Sequence, residues 1–414
     1  MKKIIFQIGF VAFALLLITA IKPVAAQVVV KQLQTLINGW IDDGFVVRLA
    51  TITDRVGIGT EMPRAKLEVN GGIRLNTDDA RPVCDDQTRD TFWFTRPANG
   101  DDEVAVCKKI GFTTVFIEFA TLPTGRIALS CAEDSSTNKI YCFGGTDGGN
   151  LNQIVEYNPV TDMLIIKSAT LPSGRSNLSC VENSSTHKIY CFGGTNGNYL
   201  DQILEYNPAT DTLVNKSATL PTGRSDLSCA EDSTTNKIYC FGGDDGNYLD
   251  QIVEYTPATD TLVVKSATLP TQRATLSCAD DSSTNKIYCF GGNDGSPVDQ
   301  IVEYTPAIDT LVIKSATLPI GKAALSCVED SLAHKIYCFG GNNSGNQILE
   351  YTPAIDTLVI KSETLPTGRF DLSCAKDFSG QDIYCFGGND GSYLKQIVDF
   401  KQRKKGVFSW VPLN

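Results

Sequence analysis

Histidine is nearly absent from this 414-residue chain: His187 and His334 are the only two. No Cys-x-x-Cys occurs. These absences argue against sites built from paired cysteines and histidines, and no metal is expected. No Ser-His-Asp set stands out once in the chain, as a nucleophile with its base should. Loops such as Gly243-Asp244-Asp245-Gly246-Asn247 offer oxygen atoms for calcium but lack the ligand spacing of an EF-hand. No cofactor is expected. Basic residues are also short, 36 against 47 acidic. The acids are spread along the chain, so nucleic acid and anionic lipid are poor partners and solubility is the simplest reading.

After the first residues there is no second long apolar run. Met1-Lys2-Lys3 is basic, Ile4 to Ile21 is almost wholly apolar, and Val24-Ala25-Ala26 offers small residues for cleavage before Gln27. Residues 1–26 read as a secretory signal peptide, with a retained membrane anchor as the other reading. Cleavage removes Lys2, Lys3 and Lys22 and no acid, leaving 33 basic against 47 acidic residues, a net charge of −14. No membrane contact is expected after cleavage, and the chain reads as secreted or displayed at the cell surface, with a periplasmic location as a variant.

What is abundant is repetition. The stretch Ala218–Ser266 recurs from about Ala120 to Phe400. Gly-Gly pairs mark each copy at Gly144-Gly145, Gly193-Gly194, Gly242-Gly243, Gly291-Gly292, Gly340-Gly341 and Gly387-Gly388. The spacing is 49 residues, and 47 at the last step. A period near fifty signals a solenoid or propeller. In the third copy, apolar runs fall at Leu227–Glu231, Lys237–Phe241, Gln251–Tyr255 and Leu262–Lys265, and turn residues separate them. Four short strands per copy, here a to d, suit a propeller blade.

Arg224 after Leu-Pro, then Ile238-Tyr239-Cys240-Phe241-Gly242-Gly243, Glu254-Tyr255-Thr256-Pro257 and Asp260-Thr261-Leu262, resemble a kelch repeat. The resemblance covers residues 113–400, and its marks recur in order along the copies. It implies an all-β, six-bladed kelch-type β-propeller over residues 113–414, preceded by a small N-terminal β stalk or linker region. Where the kelch pattern usually has Trp on the fourth strand, this chain has Leu262 or its equivalents, and Leu fills the same apolar slot between blades.

The 14 cysteines agree with export. Each copy has two, 11 apart: Cys131 and Cys142, Cys180 and Cys191, Cys229 and Cys240, Cys278 and Cys289, Cys327 and Cys338, and Cys374 and Cys385. Pairing Asp134 with Lys139 across Ser135–Asn138 sets Cys131 opposite Cys142, close to disulfide distance. One bridge per blade is expected in an oxidising compartment. The alternative is two reduced, buried thiols.

Residues 27–76 form a lead in which Val30–Trp40 has the face of a short helix. Val56-Gly57-Ile58-Gly59-Thr60, Pro63 and Lys66 to Gly71 resemble a short segment of bacterial secreted proteins and phage tail-fibre shafts, which implies a stalk and a possible homotrimer. The plainer reading is a small β-hairpin linker. Residues 77–112 hold Cys84 and Cys107 around a strand at Arg89–Thr95, and read as a small β unit closed by one disulfide. Its aromatic cluster serves as core or as a ligand platform. The sixth copy ends at strand c. Its fourth strand is either Thr113–Phe119, preferred because it clasps the two ends of the ring, or Val407–Val411.

Strand direction alternates, so the d–a and b–c loops share one face. Arg126, Arg175, Arg224, Arg273, Lys322 and Arg369 line it from the d–a side. Asp147, Asn196, Asp245, Asp294, Asn343 and Asp390 line it from the b–c side, with Tyr199, Tyr248 and Tyr393 nearby. Such a ring suits an acidic or polyhydroxylated ligand. Equally, a position repeated in every blade reads as architecture. Lys322 and Asn343 break the pattern in the fifth copy. Three functions compete. One is a secreted or cell-surface adhesion module binding a glycan or a protein through this face. The second is an exported sugar-acid enzyme resembling sialic-acid mutarotases, which needs a non-repeated acid or base in the funnel. The third is the tip of a trimeric fibre. The sequons at Asn177, Asn183 and Asn215 matter only in a host that glycosylates.

Overall fold

The computed structural model describes residues 120–343, 345–377 and 382–400 with their side chains. It also describes several strands by backbone alone, before residue 120 and after residue 400. The signal peptide of residues 1–26 and the disulfide between Cys84 and Cys107 lie outside the described residues. So does the helix over Val30–Trp40, except for Trp40, which opens a strand (Trp40–Asp42).

Six four-stranded antiparallel sheets, each ordered a-b-c-d, make the propeller. In the third blade the strands are Ser228–Asp232, Lys237–Phe241, Gln251–Thr256 and Thr261–Thr268. The inner strands a are Ser130–Asp134, Ser179–Asn183, Ser228–Asp232, Ser277–Asp281, Leu325–Asp330 and Ser373–Lys376. Strand d runs three residues beyond its expected end at Lys265. A bulge after Gln251 lets Thr268 pair with it. Asp309 of the next blade accepts hydrogen bonds from the backbone of Ser266 and Ala267.

The sixth blade is closed by Thr114–Thr121, which pairs with Gln396–Lys401. The other closing candidate, Val407–Pro412, lies instead in a three-stranded sheet with Glu103–Ile110 and Phe92–Thr95. A strand from before the first blade thus completes the last one, so strand c of the sixth blade is not left as an open edge. Before the propeller, Val56–Ile58 pairs in parallel with Leu67–Val69. A hairpin requires antiparallel strands, so the hairpin reading of this segment does not hold.

Adjacent blades bury a shared apolar layer. Tyr255 of the third blade packs at 5.6 Å from both Tyr190 and Phe192 of the second, edge-on to Phe192. Leu262, in the slot where kelch repeats carry Trp, is partly buried against this layer. Edge-on aromatic pairs contribute about 0.5–1.5 kcal/mol beyond their burial.

Each blade also holds a disulfide between its strands a and b. Cys131 is bonded to Cys142, Cys180 to Cys191 and Cys229 to Cys240 in the first three blades. Cys278 is bonded to Cys289, Cys327 to Cys338 and Cys374 to Cys385 in the last three. The alternative of reduced, buried thiols is therefore set aside for all twelve, although the second cysteines Cys142, Cys191, Cys240, Cys289, Cys338 and Cys385 are as deeply buried as that reading required. The Cα atoms of each pair are 4.0 Å apart. The cause is the hairpin register, which sets Cys131 opposite Cys142 and Asp134 opposite Lys139 as expected. It does the same for Cys191, Cys240, Cys289, Cys338 and Cys385 with their partners. Six such bridges fit an oxidising environment. Among the described residues, no helix is long and apolar enough to cross a membrane.

Two closed rings of hydrogen bonds bind the inner strands around the axis. In one, the serine before each first cysteine accepts from the next blade's cysteine N–H, as Ser179 Oγ does from Cys229 at 2.9 Å. The circle closes where Ser373 accepts from Cys131 at 2.8 Å. In the other, six residues with left-handed backbone (Ala128, Asn177, Asp226, Thr275, Ala324 and Asp371) each donate N–H to the carbonyl of the equivalent residue one blade back. Each blade-to-blade joint therefore repeats the same bonds, and unpaired backbone groups near the axis are avoided.

Candidate functional site

The d–a loop of each blade docks into the b–c loop of the blade before it. Gly243 N–H donates to the carbonyl of Arg273 at 3.1 Å, and Arg273 N–H donates to Leu249 O at 2.9 Å. This docking explains the Gly-Gly mark. Gly242 has φ +60°, and a Cβ there would sit 2.4 Å from the Arg273 carbonyl oxygen. No side chain fits, and the left-handed backbone disfavours one anyway.

The arginine side chains turn inward. Arg126, Arg175, Arg224, Arg273 and Arg369 are each 1% exposed, and Lys322 is fully buried. Arg224 donates to Gly242 O at 3.3 Å, Gln251 Oε1 at 2.9 Å and Thr222 Oγ1 at 3.2 Å. Arg175, Arg273 and Arg369 repeat the glycine and glutamine bonds, as does Arg126. Burial lowers the pKa of all five, that of Arg175 to about 10. Of the two readings of this ring, ligand-facing and architectural, this burial favours the architectural one. The terminal guanidinium nitrogens bond inside the fold, tying each blade's own b–c loop to its strand c.

Lys322 is a lesser substitute. Its ammonium reaches Gly340 O at 3.4 Å and Asn343 O at 2.5 Å, and burial lowers its pKa to about 8. Gln347 Oε1, which an arginine would bond, has no hydrogen-bond partner among the described residues. Lysine lacks the planar fork that spans two acceptors.

What this face exposes is the b–c loop tips. Asp147, Asn196, Asp294, Asn343 and Asp390 are exposed and Asp245 is half-buried. Tyr199 and Tyr393 are each 42% exposed, and Tyr248 is half-buried. The Tyr199 hydroxyl donates to Asp244 at 3.3 Å. The tips are ordered by short local bonds, such as Asn247 N–H to Asp245 Oδ1 at 3.2 Å. Ser392 holds the Asp390 carboxyl below its ordinary range. These oxygen-rich tips beside tyrosine rings are the part of the expected site that solvent reaches.

The axis carries a second polar feature that the sequence reading missed. Two residues beyond the first cysteine of each copy stand Glu133, Glu182, Glu231, Asp280, Glu329 and Lys376. They line a cavity of about 350 Å³ between the inner strands. Lys376 lies 3.3 Å from Glu329 and 3.7 Å from Glu133. Five acids facing one lysine leave charge uncompensated. Burial and the neighbouring carboxylates push Glu133 up to about 8, against the pull of Lys376. Glu231 rises to about 7 and Asp280 to about 6, both mainly by burial. Burial disfavours the Lys376 ammonium, but Glu133, Asp280 and Glu329 outweigh it and raise its pKa. The signal was available: aligned on the first cysteine, this column reads acid five times and lysine once. Lys376 is a non-repeated base, but it ends strand a beside the a–b turns, away from the d–a/b–c funnel where the enzyme reading asked for one, and it is held in ion pairs.

No curated protein matches the chain. Residues 117–292 match the family model described as KLHDC2/KLHL20/DRC7 Kelch-repeats domain. The matched stretch runs from the closing strand through three blades and the inner hairpin of the fourth, and together with the six-bladed ring it supports a kelch-repeat domain, a kind of domain that generally mediates protein interactions.

Proposed function

We propose that this protein is an exported binding module whose propeller presents the d–a/b–c loop face to a glycan or protein ligand. The observation that carries the reading is the division of labour on that face. The arginines lie beneath and fix the loops, and most of the acidic, amide and tyrosine groups above them remain exposed. Recognition sites commonly sit on loops held by a rigid scaffold. Rigid tyrosine rings give contact area at low entropic cost. Adhesion or secretion fits the six disulfides and the apolar N-terminus.

The test is binding of the chain from Gln27 onward to an array of glycans, including sialylated and uronic-acid sugars, and to an array of extracellular proteins. A hit should weaken at least tenfold in a Tyr199→Ala/Tyr248→Ala/Tyr393→Ala variant whose melting temperature is unchanged. A ligand bound equally well by that variant would place recognition elsewhere. Secretion is checked by sequencing the N-terminus of the exported chain, which should begin at Gln27.

A further inference from the structure

The two histidines occupy equivalent places. His187 ends the a–b turn of the second blade and His334 that of the fifth. In a ring of six these blades stand opposite each other. Both residues have left-handed backbone, φ +53° and +52°. The same position holds Asn138, Asn236 and Asn285 in the first, third and fourth blades. Asparagine tolerates that backbone well, so the turn itself gives no reason to prefer histidine.

Each histidine meets two carboxylates from a blade joint. His187 gathers with Glu182 of its own blade and Asp134 of the blade before, and His334 gathers with Glu329 and Asp281 in the same way. In each set the three donor atoms lie within 4.8 Å of one another, the acids being buried and the imidazole exposed. The full Asp-Glu-His combination occurs at these two joints alone among those described. The joint between the second and third blades has Asn183, Glu231 and Asn236, and that between the third and fourth has Asp232, Asp280 and Asn285.

We propose that the propeller has two equivalent binding sites for a divalent transition-metal ion of the zinc type, one made by Asp134, Glu182 and His187 and the other by Asp281, Glu329 and His334. Two carboxylates and one imidazole suit such an ion, and the imidazole disfavours calcium or magnesium. His187 Nδ1 is 3.2 Å from Glu182 Oε1. Two ligands at zinc's bond lengths on a tetrahedron are about 3.4 Å apart, so this edge is already set. Ser135 Oγ now bridges the same atoms, 3.0 Å from Nδ1 and 2.8 Å from Oε1. It would turn aside or become a further oxygen ligand. A bound ion would clamp the first blade to the second and the fourth to the fifth.

The experiment uses the full chain without a polyhistidine tag, stripped with a chelator. Zinc is titrated calorimetrically and cobalt(II) by visible absorption. Two equivalents are expected, with one lost in His187→Asn, one lost in His334→Asn, and both lost in the double variant. Other blades carry asparagine at this position, so these variants should fold, which circular dichroism checks. Absence of saturable uptake by the wild type would leave the imidazole as a hydrogen-bond partner of Glu182 and overturn the proposal. Uptake of both equivalents by the double variant would overturn it as well.

Discussion

Replacing Arg224 tests whether the arginine ring is scaffold. Arg224→Ala removes the donors to Gly242 O, Gln251 Oε1 and Thr222 Oγ1. Hydrogen bonds from a charged donor contribute about 1.5–3 kcal/mol each, but desolvation of the guanidinium, visible in its lowered pKa, offsets part of this. A net loss of about 2–4 kcal/mol follows, through acceptors left buried without donors. For a propeller of this size that lowers the melting temperature by about 3–7 °C. Arg224→Lys should cost less, about 1–2 kcal/mol, because an ammonium can keep the glycine carbonyl and lose the glutamine, as Lys322 does in the fifth blade. The assay is thermal unfolding by circular dichroism, run beside ligand binding. A melting temperature unchanged in Arg224→Ala, with binding abolished, would refute the buried-scaffold reasoning and return the arginine to the ligand site.

Glu254 accepts from Lys265 at 2.9 Å and from the Tyr239 hydroxyl at 3.1 Å, and also bonds Lys237. Burial alone would raise its pKa, but the two lysines hold it below its ordinary range, and Glu156, Glu205, Glu303 and Glu350 repeat the arrangement. A carboxylate depressed on folding stabilises above its unfolded pKa, about 4.3, and that stability is lost as pH falls through the folded value. Glu254→Gln should therefore cost about 1 kcal/mol at pH 7, since the lysines are partly exposed, and progressively less on acidification. Urea unfolding at pH 7 and in acid measures the gap, and one independent of pH would contradict the ion-pair account. Removing residues 1–121 takes away the strand that closes the sixth blade and bares the edge of Gln396–Lys401. The expected result is aggregation and rapid proteolysis of the last blade. A monomeric, protease-resistant product would show that the ring does not depend on that clasp.

Much of this molecule was legible because it repeats itself. The Gly-Gly spacing gave the blade count, and the turn residues gave four strands per blade. The interval of 11 between cysteines fixed the hairpin register and with it the disulfides. The closing strand was readable because Thr114–Thr121 ends in the same Ala-Thr that ends strand d in the first four blades. The left-handed ring about the axis was not readable. Its members are Ala, Asn, Asp, Asp, Ala and even β-branched Thr, so the position is set by backbone bonds to the neighbouring blade and not by residue type. The sequons show the same gap: Asn183 is 1% exposed and bonds Glu231, whereas Asn215 lies exposed on an outer strand.

The sequence by itself determined the architecture, since periodicity, turn chemistry and cysteine spacing are local and each blade is built from contiguous residues. The tertiary structure alone decided which repeated side chains face solvent. An arginine in every copy reads the same whether it points to solvent or under a loop. Only the carbonyl and amide groups folded back onto it consume its donors and take it out of reach. Closure of the ring likewise brought Lys376 against Glu133, from opposite ends of the propeller chain. It also set Asp134 beside His187 across a blade joint, contacts that no stretch of sequence contains.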